Sequence, residues 1–324
     1  MSCGSKVVAA LLALGTWTSA DAGVQTRWDM PTGYVDSSFQ TINDRMFADD
    51  IRKLGAGRLE ISVHSGAKLY KMPEIKRAVQ TGLVPIGEFF LPAYGNEDPM
   101  FEVDSIPFLV DGYEGAWKLY QAQRPFLEKR LASQGLRLLY CVPFPGQNLY
   151  TVRPLADPAQ FKGLKFRAQN PVVSRMAELL GAVPVLIQTN EVPQAFHSGV
   201  ANIMLTSTAL GMETRAWEYT SHFYVTNAMY VKTAVVVNER AFARLPADLQ
   251  QIVLDAASTA ERRGWEMSKH NGIEGGKLLA ANGIQIGPAT PAVLSALKRT
   301  ARPLTEDWLK KAGADGEALL KSLR

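Results

Sequence analysis

The feature that most constrains this chain is a break in an otherwise regular alternation of strands and helices. Leu136 to Val142 reads as a strand and is followed by Pro143-Phe144-Pro145-Gly146. Two prolines spaced this way allow extended backbone but not helix. The segment therefore reads as a crossing between two separate α/β units. A second long apolar strand, Tyr230 to Asn238, reads as another crossing. Beyond it, Pro246 opens a helical pattern that persists to about Leu279. At 1.5 Å per residue this spans roughly 50 Å, longer than one small lobe. Gly264, Gly272, Gly275 and Gly276 are expected to weaken or kink it. Alternation, two crossings and one long helix together imply two α/β lobes with a cleft between them.

The remaining segments fit that plan. Thr26–Met30 and Leu59–Val63 read as strands. Between them lies a helix with Phe39, Ile42, Met46, Ile51 and Leu54 on its apolar face. Pro73 opens a helix that Gly82 closes, an apolar segment runs from Leu83 to Leu91, and Glu114 to Leu131 is helical. Leu164–Arg167, Val183–Ile187 and Val200–Thr206 read as strands alternating with helices at 171–180 and 191–198. A strand at 284–286 and helices from Pro291 complete the chain.

Residues 1–22 read as a secretory signal: Lys6, an apolar run from Val7 to Trp17, then the Ala20-Asp21-Ala22 cleavage pattern. A frayed N-terminal helix and a retained anchor are the alternatives. Cleavage near Gly23 removes Cys3 and leaves Cys141 alone, so no internal disulfide can form. Cys141 sits in an apolar run and reads as a buried core thiol. The signal carries one cation and one anion, so the net charge stays at +4. The basic residues are scattered, which gives no nucleic-acid patch and no basic amphipathic stretch for stable membrane insertion. The pattern implies a periplasmic location.

Chemistry-bearing motifs are absent. His64, His197, His222 and His270 show no metal-ligand spacing. Nothing matches a nucleophile elbow, a P-loop or a zinc-protease helix. Gly55-Ala56-Gly57 lacks the third glycine of a dinucleotide fingerprint and precedes a strand. The acidic segment Asn96-Glu97-Asp98, with Glu102 and Asp104, reads as a solvated loop or a cation site. No cofactor, catalytic residue or metal ligand is assigned.

The informative stretch is Lys162-Gly163-Leu164-Lys165-Phe166-Arg167-Ala168-Gln169-Asn170-Pro171. On a strand, Lys165 and Arg167 point opposite to Leu164 and Phe166. Arg167 falls at the strand's carboxyl end, where open α/β sheets bind ligands. Asn170 is a good N-cap and Pro171 suits the first helical position, so Arg167 would stand beside a helix N-terminus that favours an anion. A planar guanidinium matches a carboxylate. A surface ion pair is the competing reading.

This stretch resembles the signature strand of the DctP-type substrate-binding proteins of TRAP transporters (tripartite ATP-independent periplasmic systems). Gly181-Ala182-Val183-Pro184, Glu191-Val192, Ala195-Phe196 and Leu245-Pro246-Ala247-Asp248-Leu249-Gln250 are similar to the family in order and spacing. Trp28-Asp29-Met30-Pro31 and Gly95-Asn96-Glu97-Asp98-Pro99 resemble a subgroup that takes small monocarboxylates. The resemblance implies a two-lobed periplasmic-binding-protein-like fold and an Arg167–carboxylate pair under closing lobes. It also implies a membrane permease as partner and an ion gradient as energy source.

Two departures narrow the ligand. Asn148 stands where sugar-acid binders often carry a second arginine, and Val200–Thr206 replaces an amide-bearing V-D-G-Q-E-N segment. One carboxylate on a compact, more apolar body would suit, with Phe89, Phe90, Tyr94 and Phe144 able to line it. The expected substrate-binding set is Arg167, Asn148, Asn170, Phe89, Phe90, Phe144, Gln188 and Thr206, with Lys71, Lys165 and Arg175 as further cations within possible reach. The expected function is extracytoplasmic capture of a small organic monocarboxylate for a TRAP permease. An exported enzyme acting on a carboxylate and a ligand-presenting sensor are the alternatives. Expected boundaries are 23–146 with about 235–273 for lobe I, and about 147–234 with 274–324 for lobe II.

Overall fold

The computed structural model describes Met1 and residues 26–323; the expected signal segment lies outside the described residues. In the first lobe β1 (Thr26–Pro31) pairs in parallel with β2 (Leu59–His64), and α1 (Phe39–Leu54) connects them. Then follow α2 (Met72–Gln80), β3 (Ile86–Phe90), α3 (Gly112–Ser133) and β4 (Leu136–Pro143). The second lobe holds β5 (Asn148–Thr151), β6 (Lys165–Ala168), α4 (Pro171–Leu179), β7 (Val183–Leu186), α5 (Val192–His197), β8 (Ile203–Thr206), α6 (Thr208–Glu213) and β9 (His222–Val225). The chain returns through β10 (Lys232–Asn238), α7 (Glu239–Ala243) and α8 (Ala247–Ala281), and ends with β11 (Gln285–Pro288) and α9 (Pro291–Ser322).

β10 lies between β3 and β4 and runs antiparallel to both. All seven of its residues are buried, which is why the segment is apolar without alternation. The second sheet has the order β11-β9-β5-β8-β6-β7. In it β6 runs parallel to both β7 and β8. The two crossings lie side by side: Phe144 N–H donates to Val231 O at 2.8 Å, Gln147 N–H to Met229 O at 2.9 Å, and Ala228 N–H to Gln147 O at 2.8 Å. The joint between lobes is thus a two-stranded ribbon.

α8 is continuous over 35 residues, and its glycines do not break it. It packs on α1 and β4 in one lobe and on α6 in the other. Close approach explains two of those glycines. A Cβ on Gly264 would stand 2.4 Å from Val142 Cγ2, and one on Gly275 would stand 2.7 Å from Thr208 Cβ. α9 holds the first lobe through Trp308 Nε1–H to Pro99 O (2.7 Å) and Arg130 to Asp315 (2.7 Å).

Three expectations need correction. The buried face of α1 is Phe39, Gln40, Thr41, Asn43, Asp44, Phe47, Ala48 and Ile51, while Ile42 and Met46 are about 40% exposed and Leu54 is 61% exposed. The polar members are held from afar: Asn43 Nδ2 donates to Ala260 O at 3.0 Å and Tyr140 Oη to Asp44 Oδ1 at 2.8 Å. The acidic segment is a solvated loop only in part: Asn96 and Glu97 lie exposed in a turn, while the carboxylates are taken up in ion pairs. Glu97 pairs with Lys76, Asp98 with Arg130, Glu102 with Lys311 and Asp104 with the fully buried Lys232. Asn148–Thr151, for which the sequence pattern predicts no strand, forms β5, an internal strand bonded to β8 and β9. Cys141 is free and buried, and burial pushes its thiol up to about 12.

Candidate ligand-binding site

β6 places Arg167 opposite Val185 of β7 and Met204 of β8. The alternating strand buries Phe166 in the core and turns Arg167 to the other face. Between the lobes there is a cavity whose empty volume is about 640 Å³ with the open solvent at its mouth included. The first lobe contributes Tyr34, Met72, Pro73, Phe90, Ala93 and Tyr94; the crossings contribute Phe144, Gln147 and Val231; the second lobe contributes Arg167, Gln169, Gln188, Thr189, Thr206, Ser207 and Leu210.

Arg167 is 2% exposed. Its Nε donates to Ile187 O at 3.1 Å and its Nη1 to Gln169 Oε1 at 3.2 Å, both neutral acceptors. No Asp or Glu among the described residues stands within ion-pair distance of it. Burial pushes the guanidinium down to about 10, opposed only by the hydroxyls of Tyr219 and Tyr34. A buried, hydrogen-bonded cation without a protein counter-charge is costly, and an anion in the cavity would remove that cost.

The apolar wall is aromatic. Phe144 meets Tyr34 edge-on at 5.5 Å between ring centroids and Phe90 at 6.3 Å. Tyr34 is buried, and burial together with Glu88 and Glu213 raises its hydroxyl pKa well above the usual value, so it stays a neutral donor. Ser207, the N-cap of α6, has its Oγ engaged with Leu210 N.

Of the residues singled out from sequence, Arg167, Phe90, Phe144, Gln188, Thr206 and Tyr94 are brought together around this cavity. Three are not. Phe89 is fully buried on the opposite face of β3, packed on Tyr94 at 5.1 Å, because neighbouring strand residues face opposite ways. Asn148 turns into the backbone: its Oδ1 accepts from Thr226 N and Asn227 N, and its Nδ2 donates to Gly146 O. Asn170 caps α4 through Val173 N and donates from Nδ2 to Ser105 Oγ of the other lobe at 3.0 Å. Lys165 and Arg175 point elsewhere, to Gly199 O and Glu178. Sequence reasoning missed Tyr34, Gln147, Gln169 and Ser207. Of these, Gln169 carried a signal, since it follows Arg167 at strand spacing on the same face.

The comparisons agree on one family. The sequence profile of the bacterial extracellular solute-binding proteins, family 7 (DctP), matches residues 34–311. Two Bordetella pertussis extracytoplasmic solute receptors binding pyroglutamic acid, DctP6 and DctP7, are 44% and 45% identical, with a TM-score of 0.90 for each; the matches cover 92% of this chain and 99% of theirs. A marine metagenome TRAP solute-binding protein specific for pyroglutamate is 35% identical with a TM-score of 0.90, covering 93% of this chain and 99% of that one. The C4-dicarboxylate-binding periplasmic protein DctP of Rhodobacter capsulatus is 28% identical over 228 residues, which is 68% of this chain and 65% of that protein. These are receptors of one two-lobed α/β fold, and the exported-enzyme alternative is set aside. The buried arginine, the cleft and the profile converge: this chain is a solute-binding protein, not an enzyme, and belongs to family 7 of the bacterial extracellular solute-binding proteins, the DctP family.

Proposed function

We propose that this protein captures a small cyclic monocarboxylate, with pyroglutamate the best-supported ligand, in the periplasm and delivers it to a TRAP-type permease. The observation that carries the reading is Arg167, buried at 2% exposure with only neutral acceptors around it. The ligand carboxylate takes the open side of its guanidinium, and Phe90, Phe144 and Tyr34 pack on the ring. Pyroglutamate is the ligand of the Bordetella receptors at 44% and 45% identity. In this reading lobe I comprises 23–146 with about 235–273, lobe II comprises about 147–234 with 274–324, and residues 1–22 direct export.

Calorimetry with pyroglutamate tests it. Arg167→Ala should weaken binding by about 2–5 kcal/mol, the cost of removing one partner of a buried charged pair. Arg167→Lys should restore only part of that, because the planar fork is lost. Unchanged affinity in Arg167→Ala would end the proposal.

A further inference from the structure

Two glutamines line the cavity, and the partners of each fix which end of its amide is left over. Gln147 is 2% exposed. Its Nε2 donates to Pro145 O at 3.1 Å. A carbonyl can only accept, so the nitrogen of Gln147 must face it. Gln147 Oε1 is then left with no donor among the described residues. Gln169 is held the opposite way. Its Oε1 accepts from Arg167 Nη1 at 3.2 Å. A guanidinium can only donate, so the oxygen of Gln169 must face it. Gln169 Nε2 is buried and has no acceptor among the described residues. Reversing either amide would set two donors or two acceptors against each other. The two glutamines that line the cavity thus carry one uncommitted acceptor and one uncommitted donor in addition to the arginine.

We infer that Gln147 and Gln169 form an amide-reading pair: Gln147 Oε1 accepts the N–H of a lactam, and Gln169 Nε2 donates to its carbonyl oxygen. A lactam is a cis amide, so its N–H and C=O lie side by side on one edge. An open-chain trans amide points them in opposite directions. The pair therefore selects a small ring that carries both a carboxylate and an adjacent lactam edge, and rejects rings of the same shape without the amide. Arg167 has a double role, holding the carboxylate and orienting Gln169. A buried donor left without its acceptor is costly, so a ligand lacking the amide leaves Gln169 Nε2 unpaired in the closed cleft. This inference rests on the reading that Arg167 holds a carboxylate.

The test is calorimetry on the exported chain with two probes, pyroglutamate and cyclopentanecarboxylate, which share ring size and carboxylate. Wild type should bind pyroglutamate at least about 100-fold more tightly, since sites built to hydrogen-bond a group reject analogues without it. Gln147→Leu should lower pyroglutamate affinity about 10- to 100-fold, and its loss should exceed that of cyclopentanecarboxylate at least about 10-fold. Gln169→Leu also takes an acceptor from Arg167, so both probes should weaken, with pyroglutamate losing at least about 10-fold more. N-methyl-pyroglutamate, which has no N–H, should lose affinity in wild type but little further in Gln147→Leu. If wild type binds both probes equally, the amide-reading pair is overturned while carboxylate capture stands. Parallel loss of both probes in the variants would show a merely structural role and also overturn it. Failure of wild type to bind either probe would overturn carboxylate capture and the pair with it.

Discussion

Glu213 closes α6, the helix that carries Leu210 to the cavity. Burial, reinforced by the negative charge of Glu88, pushes its carboxyl from 4.5 up to about 8. Between those values the folded protein holds a proton that the unfolded chain has released, so stability falls as the pH rises through that window. The full shift would correspond to about 5 kcal/mol at about 1.4 kcal/mol per unit. Glu213 is only partly buried, so screening should reduce the effect to about 1–2 kcal/mol. Glu213→Gln should therefore stabilise the protein by that amount at pH 8 and scarcely at pH 4.5, measured by urea unfolding at both. An equal change at the two pH values would contradict this linkage. Single residues were unevenly legible in the sequence. Arg167 could be found because strand alternation and the Asn170-Pro171 helix start fix its place locally. Asn148 could not be placed, because its direction depends on Thr226 and Asn227, nearly eighty residues away in the chain. Phe89 and Phe90 differ only in which face of β3 they occupy, and two adjacent aromatics in sequence do not reveal which of them faces the core.

At the scale of elements, α8 shows what helix propensity leaves out. Gly264 and Gly276 look alike in sequence, and replacing an interior helix glycine by alanine gains up to about 1 kcal/mol. A Cβ on Gly276 meets nothing within 4 Å. Gly276→Ala should accordingly raise the thermal midpoint by about 2 °C. A Cβ on Gly264 would sit 2.4 Å from Val142 Cγ2 and 3.0 Å from Asn43 Nδ2. Both side chains are buried, and Asn43 is held by Ala260 O and Arg263. Overpacking of this kind costs about 1–3 kcal/mol, which exceeds the propensity gain, so Gly264→Ala should lower the midpoint. Calorimetric melts of the two variants would separate the terms; equal shifts of the same sign would show that packing does not govern α8. The long elements α3 and α8 were legible because a sustained period marks each. β10 was legible as a strand from its apolar run but misread as a crossing: it is the central strand of the first sheet, and the crossing is the segment before it, Ala228–Val231. β5 and β9 were not, because each has only four residues and is defined by pairing with the other and, for β5, with β8. The face of α1 was misread because polar residues whose partners lie in distant elements are indistinguishable in sequence from solvent-facing ones.

At the scale of the whole molecule, the two lobes meet over a guanidinium, and that sets a balance between open and closed forms. In this structure Asn170 of one lobe donates to Ser105 of the other at 3.0 Å, and Arg167 is 2% exposed. A single hydrogen bond contributes about 1 kcal/mol net. Burying a charge without a counter-ion costs several kcal/mol after relaxation. For the protein alone the second term is larger, so opening about the ribbon formed by Pro143–Gln147 and Ala228–Val231 should be favoured, with water returning to Arg167. A carboxylate ligand reverses the balance by supplying the missing charge, and it can shift the equilibrium only by the affinity difference between the two forms. Small-angle scattering should show a larger radius of gyration without ligand than with saturating pyroglutamate. The same electrostatics makes a second, sharper prediction. Arg167→Met keeps much of the side-chain volume but removes the charge, so it should remain compact without any ligand and show no further contraction when pyroglutamate is added. Wild-type profiles that coincide with and without ligand, or an Arg167→Met profile as expanded as ligand-free wild type, would mean that the buried arginine does not hold the cleft open.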